Sequence, residues 1–222
     1  MTQKEDWNYS TQELLQKFDV TEQGLNNARV EETRRQTGEN ILQEGKKKST
    51  LEVFLGQFCD LLVVILIIAA IISMFSGNVE STIVILLVLI MNAVLGTVQH
   101  IKAQRSLESL KQLSAPNAKV IRNGVKQEIP SKEIVPGDIV MLEAGDMIVA
   151  DGRILHNYSL QVNESSLTGE STNVEKTDMV IEGKAALADR VNMVYSGSLV
   201  TYGRAQVPVT GTGMKTELGK IA

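Results

Sequence analysis

Cysteine is nearly absent. Cys59 is the only one in 222 residues, so no disulfide can form within the chain. It opens an apolar helix and reads as a small hydrophobe rather than a reactive thiol. Histidine is almost as scarce. His100 and His156 have no second His or Cys at ligand spacing, so no metal-ligand residue is assigned and both read as ordinary surface or packing residues. An excess of positive charge is lacking too. Lys and Arg number 22 against 26 Asp and Glu, giving a net charge of −4, and no basic face favours nucleic acid as a partner. The opening MTQKEDWNYSTQELLQKF lacks the apolar core and cleavage site of a signal peptide, so it is expected to stay cytosolic. No lysine-bearing phosphate loop or dinucleotide fingerprint surrounds Gly211-Thr212-Gly213, which reads as a turn; no cofactor-binding residue is assigned.

Between Lys48 and Lys102 there is neither Lys nor Arg. Two apolar runs fill this stretch, Leu61 to Phe75 and Ser81 to Val98, joined by Ser76-Gly77-Asn78-Val79-Glu80. The first, extended back through Val53, Phe54, Leu55 and Phe58, reaches the roughly 20 residues a bilayer needs; the second does so nearly unaided. The pattern predicts a two-helix transmembrane hairpin in a lipid bilayer. Lys46, Lys47 and Lys48 precede it and Lys102, Arg105 and Lys111 follow, which puts both flanks in the cytosol. Ser49-Thr50-Leu51-Glu52 forms a capping box that starts the first helix. Asp60 reads as a headgroup-level residue, or else as an acidic group beside an ion path. Asn92 is expected to bond across the helices and Gly96 to allow their close approach.

The flanks are polar. Ser10-Thr11-Gln12-Glu13 is a second capping box, ahead of Leu14, Leu15 and Phe18. Thr21 is expected to cap another helix that ends at Gly38. These helices hold few apolar residues and need a larger partner. After the second apolar run, Leu107, Leu110 and Leu113 keep helical spacing and extend it as a stalk. From Ala118 the period becomes two. Short β-like runs follow, among them AKVIRNG, KQEIP, DIVMLEAGD, MIVADGRIL, SLQVNES, MVYSGSLVTYG and RAQVPVTGTG. Asn123-Gly124 marks a hairpin and Pro136-Gly137-Asp138 a turn. The fold class expected is membrane α plus β, with a cytosolic β-sandwich or jelly-roll-like domain.

One stretch carries chemistry. Thr168-Gly169-Glu170-Ser171 sets a carboxylate directly after a glycine among small hydroxyl residues. Glycine lets a backbone come close to a bulky polar group such as a phosphate. A carboxylate held there can orient a water and take its proton. The plain alternative is that Glu170 only caps a turn.

In order along the chain, these residues resemble the N-terminal quarter of a P-type cation-transporting ATPase of the calcium-pump-like branch. Leu14-Leu15 to Gly38-Glu39-Asn40 is similar to that branch's leader, and Gln57-Phe58 with Asp60-Leu61-Leu62 to its first membrane helix. Ile134-Val135-Pro136-Gly137-Asp138 resembles the opening of the actuator domain, followed by Ala150-Asp151-Gly152-Arg153 and Leu167-Thr168-Gly169-Glu170-Ser171; Gly219-Lys220-Ile221-Ala222 resembles the approach to a third membrane helix. Val149, Asn173 and Ser198 depart from the family's usual proline, proline and threonine. The resemblance implies a leader at 1–50 that belongs to the actuator, membrane helix 1 at 51–76, membrane helix 2 with its stalk at 80–113, and an actuator β domain at 114–222. It implies catalytic roles for Glu170, Gly169 and Thr168 in hydrolysing an aspartyl-phosphate, and a plasma-membrane location. ATP, Mg2+, a transported cation (Ca2+ by the branch) and the phosphorylation, nucleotide-binding and remaining membrane domains would be the partners. The family's Asp-Lys-Thr-Gly-Thr segment does not occur here, so this stretch alone is expected to be inactive. A pump for sodium, potassium, proton or manganese is one alternative, and a non-enzymatic membrane-anchored β module another.

Overall fold

A computed structural model describes residues 4–42, 49–113, 116–169 and 171–221. The chain divides into two units. One joins Met1–Gln43 with Ala115–Ala222; the other is Glu44–Ser114.

The first unit is built on an antiparallel sheet. Its strands are β1 (Asn117–Arg122), β2 (Val125–Pro130), β3 (Ile139–Glu143), β4 (Asp151–Arg153), β5 (His156–Asn163), β6 (Asn173–Glu175), β7 (Met193–Val194) and β8 (Leu199–Gly211). β1 and β2 form the hairpin expected at Asn123-Gly124, with Arg122 paired to Val125 and positive φ at both turn residues. In place of two separate sheets there is one connected network. The path runs β2-β1-β3-β8-β4-β7, and β5 bonds β8 on one side and β6 on the other. The last two β-like runs of the sequence are largely one strand: β8 spans 13 residues and bonds β3, β4 and β5. It passes through Gly203 because the β5–β8 register shifts between Tyr158 and Gln161, a bulge that absorbs the irregular residues. Inward residues of these strands make the main core, including Val120, Leu142, Leu160, Val162, Val200 and Val207.

The leader packs on this sheet. It carries α1 (Thr11–Lys17) and α2 (Asn27–Thr37). At α1 the Ser10–Glu13 capping box forms as expected: the Glu13 N–H donates to Ser10 Oγ at 3.3 Å and the Ser10 N–H to Glu13 Oε2 at 2.9 Å. At α2 the cap is Asn26, not Thr21; Asn26 Oδ1 accepts from the Arg29 N–H at 2.8 Å, while Thr21 closes a short turn to Gln23. α2 ends at Gly38 as anticipated. Val20, Leu25 and Val30 bury against Ile121, Val135 and Ile139. The turn of the β1–β2 hairpin is tied to the leader: Asn123 N–H donates to Leu25 O at 3.1 Å and Gly124 N–H to Gln23 O at 2.7 Å. A second leader contact is Trp7, buried with Met193 and Tyr195.

The second unit is helical: α3 (Thr50–Gly56), α4 (Leu61–Phe75) and α5 (Val79–Leu113). The Ser49–Glu52 capping box forms at α3. The expected first span, 51–76, is not one continuous helix. α3 with its following turn and α4 meet at a bend of 69°, because Asp60 turns extended and caps α4 through the Leu62 N–H at 2.9 Å. Within the described residues one helix, Val79–Ser109, is by itself long and apolar enough to cross a membrane; the bent pair meets that measure only when joined. α4 and α5 pack together and bury Val63, Ala70, Leu89 and Ala93, while Leu61, Ile65, Ile72, Ile83, Leu87, Ile90 and Met91 stay exposed. Gly96 lies against the Gln57 side chain, as close helix packing requires. Asn92 is exposed on α5 rather than bonded across the helices, whose buried hydroxyls, Thr82 and Thr97, turn back to their own helix. α5 runs unbroken into the stalk.

Candidate active site

β5 delivers the chain to the site. After Asn163 the backbone turns through Glu164 into the one-turn helix α6 (Ser165–Thr168) and ends in Gly169 at φ 76°, in the left-handed region. The chain then returns along β6, whose Asn173, Val174 and Glu175 pair with Asn163, Val162 and Gln161. Thr168 and Gly169 thus stand at the tip of a hairpin.

Side chains hold that tip from several directions. Asn163 bridges its two limbs, accepting from Ser165 N–H at 3.1 Å and Ser165 Oγ at 2.6 Å while donating to Ser171 O at 3.2 Å. Ser166 Oγ donates to Gly197 O at 3.0 Å. The Thr168 hydroxyl donates to Glu164 O at 3.1 Å. Thr168 is half-buried and Gly169 exposed, whereas Glu170 lies outside the described residues. The structure therefore brings Thr168 and Gly169 to a solvent-facing turn.

The Ala150-Asp151-Gly152-Arg153 stretch supports the neighbouring loops. Asp151 is buried and accepts two backbone N–H groups, Ser196 at 2.8 Å and Glu217 at 2.7 Å. Burial outweighs those bonds and pushes its carboxyl up to about 6. Arg153 is fully buried, and among the described residues no carboxylate lies within ion-pair distance of it, although Asp178 attracts it from further off. Its guanidinium donates to the carbonyls of Ile154, Asn192, Asp178 and Met179, and burial brings it down to about 10. It gathers residues 178–192 around one cation.

Behind α6 lies a pair that sequence reasoning missed. Lys176 Nζ meets Glu164 Oε1 at 2.5 Å, each side chain 1% exposed. Burial moves the Glu164 carboxyl up and the Lys176 amine down, and their mutual bond opposes both movements. A signal was present: period two in β5 puts Glu164 on the inward face after Leu160 and Val162. Elsewhere, His100 is exposed on α5, and His156 Nε2 lies 3.4 Å from Glu22 Oε1 near the surface. Gly211-Thr212-Gly213 ends β8 and enters a 3-10 turn; the Gly213 N–H is taken by Asn40 Oδ1 at 2.8 Å. Among the described residues no group of three or more metal-ligating side chains converges.

Comparison with known proteins adds an independent result. Residues 112–222 match the family model of the P-type ATPase actuator domain, and residues 6–73 that of the cation transporter/ATPase N-terminus. A calcium-transporting ATPase of Listeria monocytogenes is 46% identical over 96% of this chain and 24% of its own length. Another of Lactococcus lactis is 48% identical over 97% of this chain and 25% of its own length. A sodium/potassium exporting P-type ATPase of Saccharomyces cerevisiae is 40% identical over 83% of this chain and 17% of its own length. The chain spans about a quarter of the length of the two calcium-transporting relatives.

Proposed function

The chain belongs to the P-type cation-transporting ATPases, and from that premise we propose that it forms the N-terminal part of an ATP-driven calcium pump. Its first unit acts as the actuator that discharges the pump's aspartyl-phosphate. Calcium is favoured because two relatives named for calcium transport are 46% and 48% identical to it, above the 40% of the sodium/potassium exporter. The carrying observation is the braced hairpin tip, where Thr168 and a left-handed Gly169 stand at a solvent-facing turn.

The chemistry is a hydrolysis. Thr168 and the bare Gly169 backbone fit against the phosphoryl group. Glu170 orients a water and takes its proton as the water oxygen bonds to phosphorus. The phosphorus–oxygen bond to the aspartyl group breaks, and the aspartate leaves as a carboxylate. General-base help of this kind contributes about 10² to 10⁴ in rate. The aspartate, ATP and its Mg2+ belong to the remaining length of the pump.

In the same reading α5 is one membrane span and the bent α3–α4 pair another, forming the two-helix hairpin of a plasma-membrane protein. The lysines before Thr50 and the Lys102 and Arg105 that follow put the N-terminus and the actuator in the cytosol. Rotation of the actuator would move the two helices through their linkers. The test is the complete pump with Glu170→Gln. Calcium-dependent phosphorylation should proceed at the normal rate and the phosphoenzyme should decay about 10² to 10⁴ times more slowly. Decay at the wild-type rate removes Glu170 from the role, and phosphorylation that responds to sodium or potassium but not calcium replaces the cation.

A further inference from the structure

The buried Glu164–Lys176 pair has no part in the hydrolysis as written, yet the hairpin tip hangs from it. Glu164 O accepts from the Leu167 N–H at 2.9 Å, the Thr168 N–H at 3.0 Å and the Thr168 hydroxyl at 3.1 Å. The C-terminal half of α6, Leu167 and Thr168, is therefore hung from one residue on the outgoing limb. Lys176 sits just past β6 on the returning limb, and its own backbone is fixed: its N–H donates to Leu160 O at 2.9 Å, and its carbonyl accepts from Asn157 Nδ2 at 2.5 Å. The 2.5 Å contact between the two side chains ties the limbs together from inside. Asn163 ties them from the solvent side through Ser165 and Ser171.

A buried charge that loses its partner does not stay in place; it protonates or swings toward water. If Glu164 swings, its backbone moves, and the carbonyl that holds Thr168 moves with it. We infer that Glu164 and Lys176 are positioning residues for dephosphorylation, an internal clamp that sets where Thr168 and Gly169 meet the phosphoryl group. The inference rests on the role given to Glu170 above. A displacement of about 1 Å at a reacting centre can cost about 10² in rate, so a clamp that moves the tip by a fraction of that is kinetically visible.

The experiment uses the complete pump with Lys176→Met, and with Glu164→Gln and Lys176→Met together. The double variant leaves no unpaired buried charge, and neutral replacements of buried ion pairs commonly fold as well as the original. The readout is the rate constant of phosphoenzyme decay, together with the affinity for orthovanadate as a mimic of the phosphoryl transition state. Partial misfolding lowers the amount of phosphoenzyme but leaves the decay constant of the remainder unchanged, so a purely structural role is separated from a positioning one. Both variants should form phosphoenzyme within twofold of the wild-type rate, lose it about 10 to 10² times more slowly, and bind orthovanadate more weakly by a similar factor. Decay and orthovanadate binding within twofold of wild type in the double variant overturn the clamp. Glu170→Gln, measured alongside, separates the two ideas: slow decay there with normal decay in the double variant rejects the clamp alone. Normal decay in Glu170→Gln rejects both.

Discussion

At Gly152 no side chain fits. A Cβ there would overlap Val207 Cγ1 and stand 2.8 Å from the Pro208 carbonyl oxygen, because β4 pairs directly beside β8 where their register shifts at Asp151 and Gly152. Gly152→Ala should lower stability by about 1 to 3 kcal/mol, the usual cost of overpacking, read as a lower urea midpoint at unchanged slope. Its neighbour Asp151 gives a pH prediction. Its carboxyl titrates near 6 when folded against 3.8 ordinarily, so the folded state holds the proton more tightly. Its contribution is fully present below pH 3.8 and is lost as pH rises through about 6, roughly 3 kcal/mol in all. Asp151→Asn should remove that fall: the stability gap between wild type and variant should change between pH 4 and 6 and flatten above. A gap independent of pH in urea melts would contradict it. The sequence marked these residues as a motif but hid their work. Asp151 bonds to residues 196 and 217, and Arg153 to 178, 179 and 192, partners that only the folded chain brings near.

Elements were legible where their signals are local. The capping boxes at Ser10 and Ser49 and the Asn123-Gly124 hairpin depend on residues within three positions of one another, and each forms. Ser10→Ala should cost about 1 kcal/mol and lower the thermal midpoint by a few degrees; an unchanged midpoint would show the leader helix held by packing alone. Where two local signals compete, the reading failed. Thr21 and Asn26 both suit a helix cap, and Asn26 wins because Leu25 is engaged with the hairpin turn just before it. The apolar run through Asp60 reads as one helix, yet a carboxylate able to cap α4 interrupts it. The run containing Gly203 reads as two strands, yet a bulge carries β8 through. The clamp beneath the site was hidden for the same reason: Glu164 and Lys176 meet across a hairpin, not along a chain segment.

At the scale of the molecule, the first unit is sewn from two separated pieces of chain. Trp7, the only tryptophan, reports the seam: its indole N–H donates to Gly183 O at 3.1 Å and the Arg190 guanidinium lies 3.8 Å above its ring. Its emission should shift red in the same denaturant transition that melts the β signal in circular dichroism, and two separated transitions would show the leader to be a detachable arm. This arrangement also orders events in time. The leader leaves the ribosome first, but the strands that cover Leu25 and Val30 begin only with β1 at Asn117, beyond the apolar helices. At roughly 5 to 20 residues per second, the leader waits several seconds for its partners. The oily middle is synthesised during that wait, so the two halves of the head can close on each other only after the apolar helices have been made.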